Sequence, residues 1–189
     1  IGSMVDLNAA SMADLHSFYK TFYSPNNAVL VLAGNFDAAK AKAMIEKYYA
    51  SLPAEEIKRP EAKPEPEQAK ERYSTIEREA QSPTVAVGYK LPEMRHRDHY
   101  ALDLLSIALG QGDSSRLYKQ LVYKGEIATS TSASSWGQVL AGQFSLHTSL
   151  KPGVVPEKAV EMLEAEVKKI RDSKMAQKEL DKARNLFMK

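Results

Sequence analysis

The residues best suited to metal chemistry in this chain are His96-Arg97-Asp98-His99, and the only other histidines are His16 and His147. Zinc peptidases set two histidines one turn apart on a helix, with a glutamate between them as the base. Here arginine and aspartate intervene, and the segment sits in a polar stretch at a helix start. A protein zinc site also needs at least three side-chain ligands in fixed geometry. His96 and His99 therefore read as surface histidines. His16 falls on the polar side of its helix and His147 is a lone strand residue, both structural or exposed. Gly110-Gln111-Gly112-Asp113-Ser114-Ser115 has the composition of a phosphate loop. It joins two helices rather than a strand and a helix, and no Gly-Lys-Ser/Thr follows, so it reads as a tight helix–helix turn. The serines of residues 130–135 lie in a strand-like run without a Gly-x-Ser-x-Gly elbow and read as a polar strand face. The Lys/Glu-rich run 157–172 reads as a solvated helix surface with i,i+4 pairs. Taken residue by residue, the chain has no catalytic, substrate-binding or metal-ligating set of its own.

Composition narrows the field further. The 189 residues include no cysteine, which removes disulfides, thiolate nucleophiles and cysteine-based zinc sites. Lys+Arg is 26 against 24 Asp+Glu, a net charge of +2, and no basic stripe is present. There is thus no electrostatic case for nucleic acid or an anionic membrane. No apolar run approaches the about 20 residues that span a bilayer.

The elements that position these residues can be read from periodicity and punctuation. Ser11 caps a helix with Leu15, Phe18, Tyr19 and Phe22 on one face, and Ser24-Pro25-Asn26-Asn27 stops it. Ala28–Ala33 is an apolar run between turn residues and predicts a buried strand. Asp37 caps a second helix with Ala41, Met44, Ile45 and Tyr48 inward. Residues 53–70 hold four of the nine prolines among Glu and Lys and predict an extended, solvated linker. Two strands follow, near Arg72–Glu79 and at Thr84–Leu91, where Val85, Val87, Tyr89 and Leu91 alternate. Asp98 opens a helix with Ala101, Leu104, Leu105 and Ala108 inward, ended by Gly110. Ser114 caps a shorter helix containing Leu117 and Leu121. Ile127–Ser135 and Gln143–Leu150 form an antiparallel pair around Trp136-Gly137 and Gly142. Pro156 starts a helix with Val160, Leu163, Val167 and Ile170 on one face. A last helix begins near Ala176 with Leu180, Ala183 and Phe187, and the sequence stops inside it, as a piece of a longer protein would. Helices segregated from antiparallel strands predict an α+β fold.

Several segments together resemble the pitrilysin/insulinase family of zinc metallopeptidases, with a fold like that of the mitochondrial processing peptidase. They are Ile1-Gly2-Ser3-Met4-x-Asp6-Leu7, then Phe18-Tyr19-x-x-Phe22-Tyr23-Ser24-Pro25-Asn26-Asn27-Ala28, then Leu30-Val31-Leu32-Ala33-Gly34-Asn35-Phe36-Asp37 and Tyr48-Tyr49-Ala50-Ser51-Leu52-Pro53. In the second half, Ser115-Arg116-Leu117-Tyr118-x-x-Leu121 matches, followed by a strand opening Ile127-Ala128. On this resemblance the opening Gly-Ser-Met is native sequence. The resemblance implies a mainly antiparallel sheet with helices on one face, preceded by a helix–strand–helix tail of a similar repeat. It assigns 1–52 to that tail, 53–70 to a linker and 71–189 to a second, shortened repeat.

In that family a His-x-x-Glu-His helix and a later Glu hold zinc, and all of these precede the part resembled here. Zinc is therefore implied for the parent protein and not for this chain. Some members or partner subunits supply an Arg from the helix after Ser-Arg-Leu and a Tyr seven residues on. The aligned positions are Val122 and Thr129, which cannot do that work. The departure favours a zinc-bearing parent whose partner subunit carries the Arg/Tyr pair. The resemblance thus implies a bacterial zinc endopeptidase of which this is the non-catalytic C-terminal portion, part of the wall of a peptide-degrading chamber. The alternative it leaves is a fragment of a non-catalytic structural or core subunit acting in protein assembly. Implied partners are the metal-bearing N-terminal repeat, the second subunit and peptide substrates. Periplasm or cell envelope is favoured over cytoplasm. Residues 10–52, short of cover for their apolar faces, are expected to self-associate or to dock on the second domain.

Overall fold

A computed structural model describes residues 2–58, 61 and 66–189. The chain divides into two compact units, Ile1–Glu65 and Pro66–Lys189. Part of the 53–70 stretch, at residues 59–60 and 62–65, lies outside the described residues.

The first unit is three helices set by local capping. In α1 (Met4–Ala9) the Ser3 hydroxyl accepts from the Asp6 N–H at 3.0 Å. This short helix was not foreseen from the sequence. α2 (Met12–Phe22) carries a full capping box, in which Ser11 Oγ accepts from Asp14 N–H at 3.2 Å while Asp14 Oδ2 accepts from Ser11 N–H at 2.9 Å. α3 (Ala38–Tyr49) is capped by Asp37, which accepts from Lys40 N–H at 3.0 Å. Between α2 and α3, Pro25–Asn27 forms one 3₁₀ turn. Asn27 Nδ2 donates to the Phe22 carbonyl at 2.8 Å, closing the α2 end. The Asn26 amide pairs both ways with the Glu55 backbone, at 2.9 and 3.3 Å.

Ala28–Ala33 departs from the buried strand expected of it. It has no strand pairing and all six residues are exposed. Exposure alternates along it, from Val29 at 91% and Leu30 at 57% to Val31 at 79% and Leu32 at 46%. Leu30 and Leu32 line an open groove together with Met44, Ile45 and Tyr48 of α3, which Val29 and Val31 do not line. A strand needs neighbours for its N–H and C=O groups, and the described residues supply none here. Leu15, Phe18 and Tyr19 on α2 are exposed for the same want of cover.

The second unit is built on an antiparallel sheet of β1 (Thr84–Leu91), β2 (Ala128–Gly137) and β3 (Gly142–Leu150), in the order β1-β3-β2. Val85 pairs with Thr148, Val87 with Leu146 and Tyr89 with Phe144, so one face collects the apolar residues. Helices α4 (His99–Gly110) and α5 (Pro156–Asp172) cover that face, and α6 (Gln177–Phe187) packs on α4. The core joins Val85, Leu109, Leu117, Leu121, Phe144, Leu146, Leu150 and Leu163.

Three local expectations need correction here. No strand forms at Arg72–Glu79, where Tyr73 and Ile76 are exposed. Their spacing of three gives no alternate face to bury. On α4 Leu105 and Ala108 are inward as expected, but Leu102 and Leu109 join Leu105 against the core, whereas Ala101 is exposed. This helix is apolar nearly all round because α6 packs on it as well, so period alone could not choose its inner face. Ser114 does not cap the following helix, which begins at Arg116; its hydroxyl accepts from Lys182 Nζ.

Candidate functional site

The open side of the sheet is the surface most nearly built for contact with another chain. β-strand side chains alternate, so with Val85, Val87, Phe144 and Leu146 facing the helices the intervening residues face away. Across the strands these run in rows: Thr84, Ser149 and Ser130; Ala86, His147 and Ser132; Gly88, Ser145 and Ser134; Lys90, Gln143 and Trp136. Half of these twelve are small and hydroxylated, and His147 stands in the middle of the field. The serines of 130–135 divide accordingly: Ser132 and Ser134 are exposed, whereas Ser135 is half-buried on the other face. The reading of a polar strand face therefore holds for every second residue.

The positions aligned with the family's Arg/Tyr pair lie at the far end of β2. Residues Tyr118–Lys124 form a π-helix, a form that is rare and met mostly as single turns inside α-helices. Gly125 N–H donates to the Gln120 carbonyl at 2.9 Å. A Cβ on Gly125 would lie 2.5 Å from that oxygen, so glycine is required at this exit. Glu126 then takes a positive φ of 49°, and the pairing register shifts between Ala128 and Ser130. Val122 is half-buried against the core. Thr129 sits at the bulge, exposed, and its hydroxyl reaches the Ser149 carbonyl at 3.2 Å. Bulges re-aim side chains, but Val122 carries no donor and Thr129 spends its hydroxyl on backbone.

The histidines are dispersed. His99 is buried rather than on the surface, at 7% exposure, and its Nε2 lies 3.0 Å from the Pro92 carbonyl. It ties the loop ahead of α4 to the helix start, under the β2–β3 turn at Gly137. His96 Nδ1 accepts from Asp98 N–H at 3.3 Å. His16 is exposed on α2 and His147 on the open sheet face. Among the described residues no three His, Asp or Glu side chains gather to hold a metal ion. Gly110-Gln111-Gly112-Asp113-Ser114-Ser115 is the expected helix–helix turn. Gly112 takes φ +76°, and a Cβ on Gly110 would lie 2.0 Å from the Ala133 nitrogen, so α4 ends in backbone contact with β2.

The strongest electrostatic pair is the one sequence reading passed over. Arg116 donates twice to Glu179, each bond 2.6 Å, with both side chains about three-quarters buried. The Glu179 carboxyl is held below its ordinary range by this hydrogen bonding, and the guanidinium is raised for the same reason.

With this geometry in hand, comparison with known proteins is decisive on one point. The family described as peptidase M16 inactive domain matches residues 9–187. The chain belongs to the peptidase M16 family. The match runs unbroken across the 53–70 stretch and includes both compact units. The zinc protease PqqE of Helicobacter pylori is 30% identical over 186 residues, covering 96% of this chain and 42% of that protein. A crystal structure of a protease from Helicobacter pylori superposes with a TM-score of 0.86 at 28% identity, over 96% of this chain and 44% of that one. The periplasmic protease PqqL from Escherichia coli gives 0.70 at 22% identity, over 97% of this chain and 21% of that one, a likeness of fold. The chain thus spans less than half the length of these relatives. The α+β fold with helices on one face of an antiparallel sheet agrees with the M16 inactive domain.

Proposed function

We propose that this chain is the non-catalytic C-terminal portion of a zinc-dependent endopeptidase, and that the open sheet face lines a chamber in which peptides are degraded. Residues 1–52 are then the tail of one repeat, 53–70 the connection and 71–189 most of the next. The observation that carries the reading is the asymmetry of the sheet. One face is sealed by α4 and α5, while the other presents Ser130, Ser132, Ser134, Ser145, Ser149 and His147, with Trp136 as its large exposed apolar side chain at the hairpin end. A wall of small hydroxyl side chains lets an extended peptide approach closely and wets its backbone groups without choosing a sequence.

Zinc, the His-x-x-Glu-His motif and the general base belong in this reading to a preceding repeat, and the Arg/Tyr pair to a second subunit. The mismatch at Val122 and Thr129 supports that division. A periplasmic setting, as the PqqL name gives for that relative, is part of the proposal. Photo-crosslinking in the full-length protein tests it. A photoreactive residue at position 132 should label an unfolded peptide, and one at position 161 on the exposed side of α5 should not. Equal labelling from the two positions would remove the chamber wall.

A further inference from the structure

The turn between α4 and the π-helix and the beginning of α6 enclose a cleft of about 610 Å³, a size that short peptide segments and small ligands fill. Its floor is apolar, from Ile107, Ala108, Ala176 and Ala183. Its rim is cationic, from Arg116, Lys119, Lys178 and Lys182, against the single carboxylate of Glu179.

Glu179 is already taken by both arms of Arg116. Lys182 donates to the Ser114 hydroxyl, a neutral partner. Lys119 and Lys178 form no ion pair among the described residues and are exposed. Three amines thus line one cleft whose single carboxylate, Glu179, is hydrogen-bonded by Arg116. α6 also begins there without a side-chain cap at Ala176, so its first N–H groups and the positive end of its dipole face the same space. Asp181, the nearest acid along α6, is directed elsewhere. It lines the separate α4–α6 groove and accepts from Gln177 at 2.8 Å.

We propose that this cleft binds an acidic polypeptide segment with an apolar side chain among its carboxylates. Charge complementarity selects the class: four cations against one carboxylate call for two or more further carboxylates. The floor of Ile107 and three alanines calls for an aliphatic group between them, which an inorganic anion lacks. Lysine amines attract as compact point charges without the planar fork of arginine, so the site reads charge density rather than one carboxylate geometry. The proposal is independent of the chamber reading, because the cleft lies among helices and uses no residue of the open sheet face.

Fluorescence anisotropy on the whole chain tests it, with a labelled Glu-Leu-Glu-Glu peptide, its Gln-Leu-Gln-Gln counterpart and inorganic phosphate as competitor. The acidic peptide should bind, more weakly as salt rises, and the neutral one should not. Lys119→Gln with Lys178→Gln leaves the Lys182–Ser114 and Arg116–Glu179 contacts in place and should weaken binding roughly tenfold. Lys40→Gln with Lys42→Gln on α3 removes the same charge elsewhere and should leave it unchanged. Absence of binding overturns the proposal, as does an equal loss in the two double variants. Displacement by phosphate at concentrations comparable to the peptide would also overturn it, leaving only a bare anion site.

Discussion

Arg116 and Glu179 are 63 residues apart in sequence and meet at 2.6 Å, so they fasten the turn after α4 to the first turn of α6. A doubly hydrogen-bonded pair with side chains 22% and 24% exposed lies between a surface bridge, worth about 0–1 kcal/mol, and a buried one, whose breaking costs about 3–5 kcal/mol. Arg116→Ala should therefore destabilise by roughly 1–3 kcal/mol, measured by chemical denaturation. Lys119 and Lys182 also lower the Glu179 carboxyl and would soften the loss of the arginine, which places the value toward the lower end. The pH dependence follows from the direction of the shift. The folded-state pKa of Glu179 is depressed, so its contribution is present above the ordinary glutamate value of about 4.3. It is lost as pH falls through the lower folded value. Denaturation of the parent and of Glu179→Gln across this acid range should show the difference between them shrinking. A difference independent of pH would mean that the pair does not titrate as this geometry requires.

At the scale of elements, the contrast between Thr84–Leu91 and Ala28–Ala33 is instructive. Both are short and rich in strand-forming residues, yet one is half of a ladder and the other pairs with nothing described. β1 has β3 beside it in full register, while residues 28–33 share an open groove with α3 at Leu30 and Leu32 and leave their valines exposed. A strand with free edges and two apolar faces is a template for another chain. The whole chain should therefore self-associate through residues 10–52. Light scattering should show a concentration-dependent mass that is absent from a version starting at residue 70. Monomers in both, with rapid amide exchange at 28–33, would remove this reading of the segment.

For the whole molecule, membership of the M16 family and its inactive-domain match sit beside a chain whose histidines are scattered. His99 spends Nε2 on the Pro92 carbonyl, His147 faces out from the sheet, and His16 is on α2. A zinc ion would find no three-ligand set among the described residues. After dialysis, elemental analysis should find zinc far below one per chain. Stoichiometric zinc lost on substitution of His96 and His99 would contradict this, and would require the loop ahead of α4 to reorganise.

Local signals made much of this legible beforehand. The Ser11 and Asp37 caps, the alternation of β1, the β2–β3 hairpin and the starts of α5 and α6 each depend on residues within a few positions, which is the range over which backbone hydrogen bonding and side-chain period act. The resemblance carried by Ser115-Arg116-Leu117 and by the Phe18–Ala28 segment pointed to the family. Tertiary structure decided what depends on distant partners. It showed that His99 is a buried fastener and that α4 turns Leu102, Leu105 and Leu109 to the sheet. It also left Ala28–Ala33 without a ladder and brought Arg116 to Glu179 and three lysines to one cleft. A strand acquires its pairing, and a charge its partner, only when another part of the chain arrives beside it, and neither arrival is written in the spacing of neighbours.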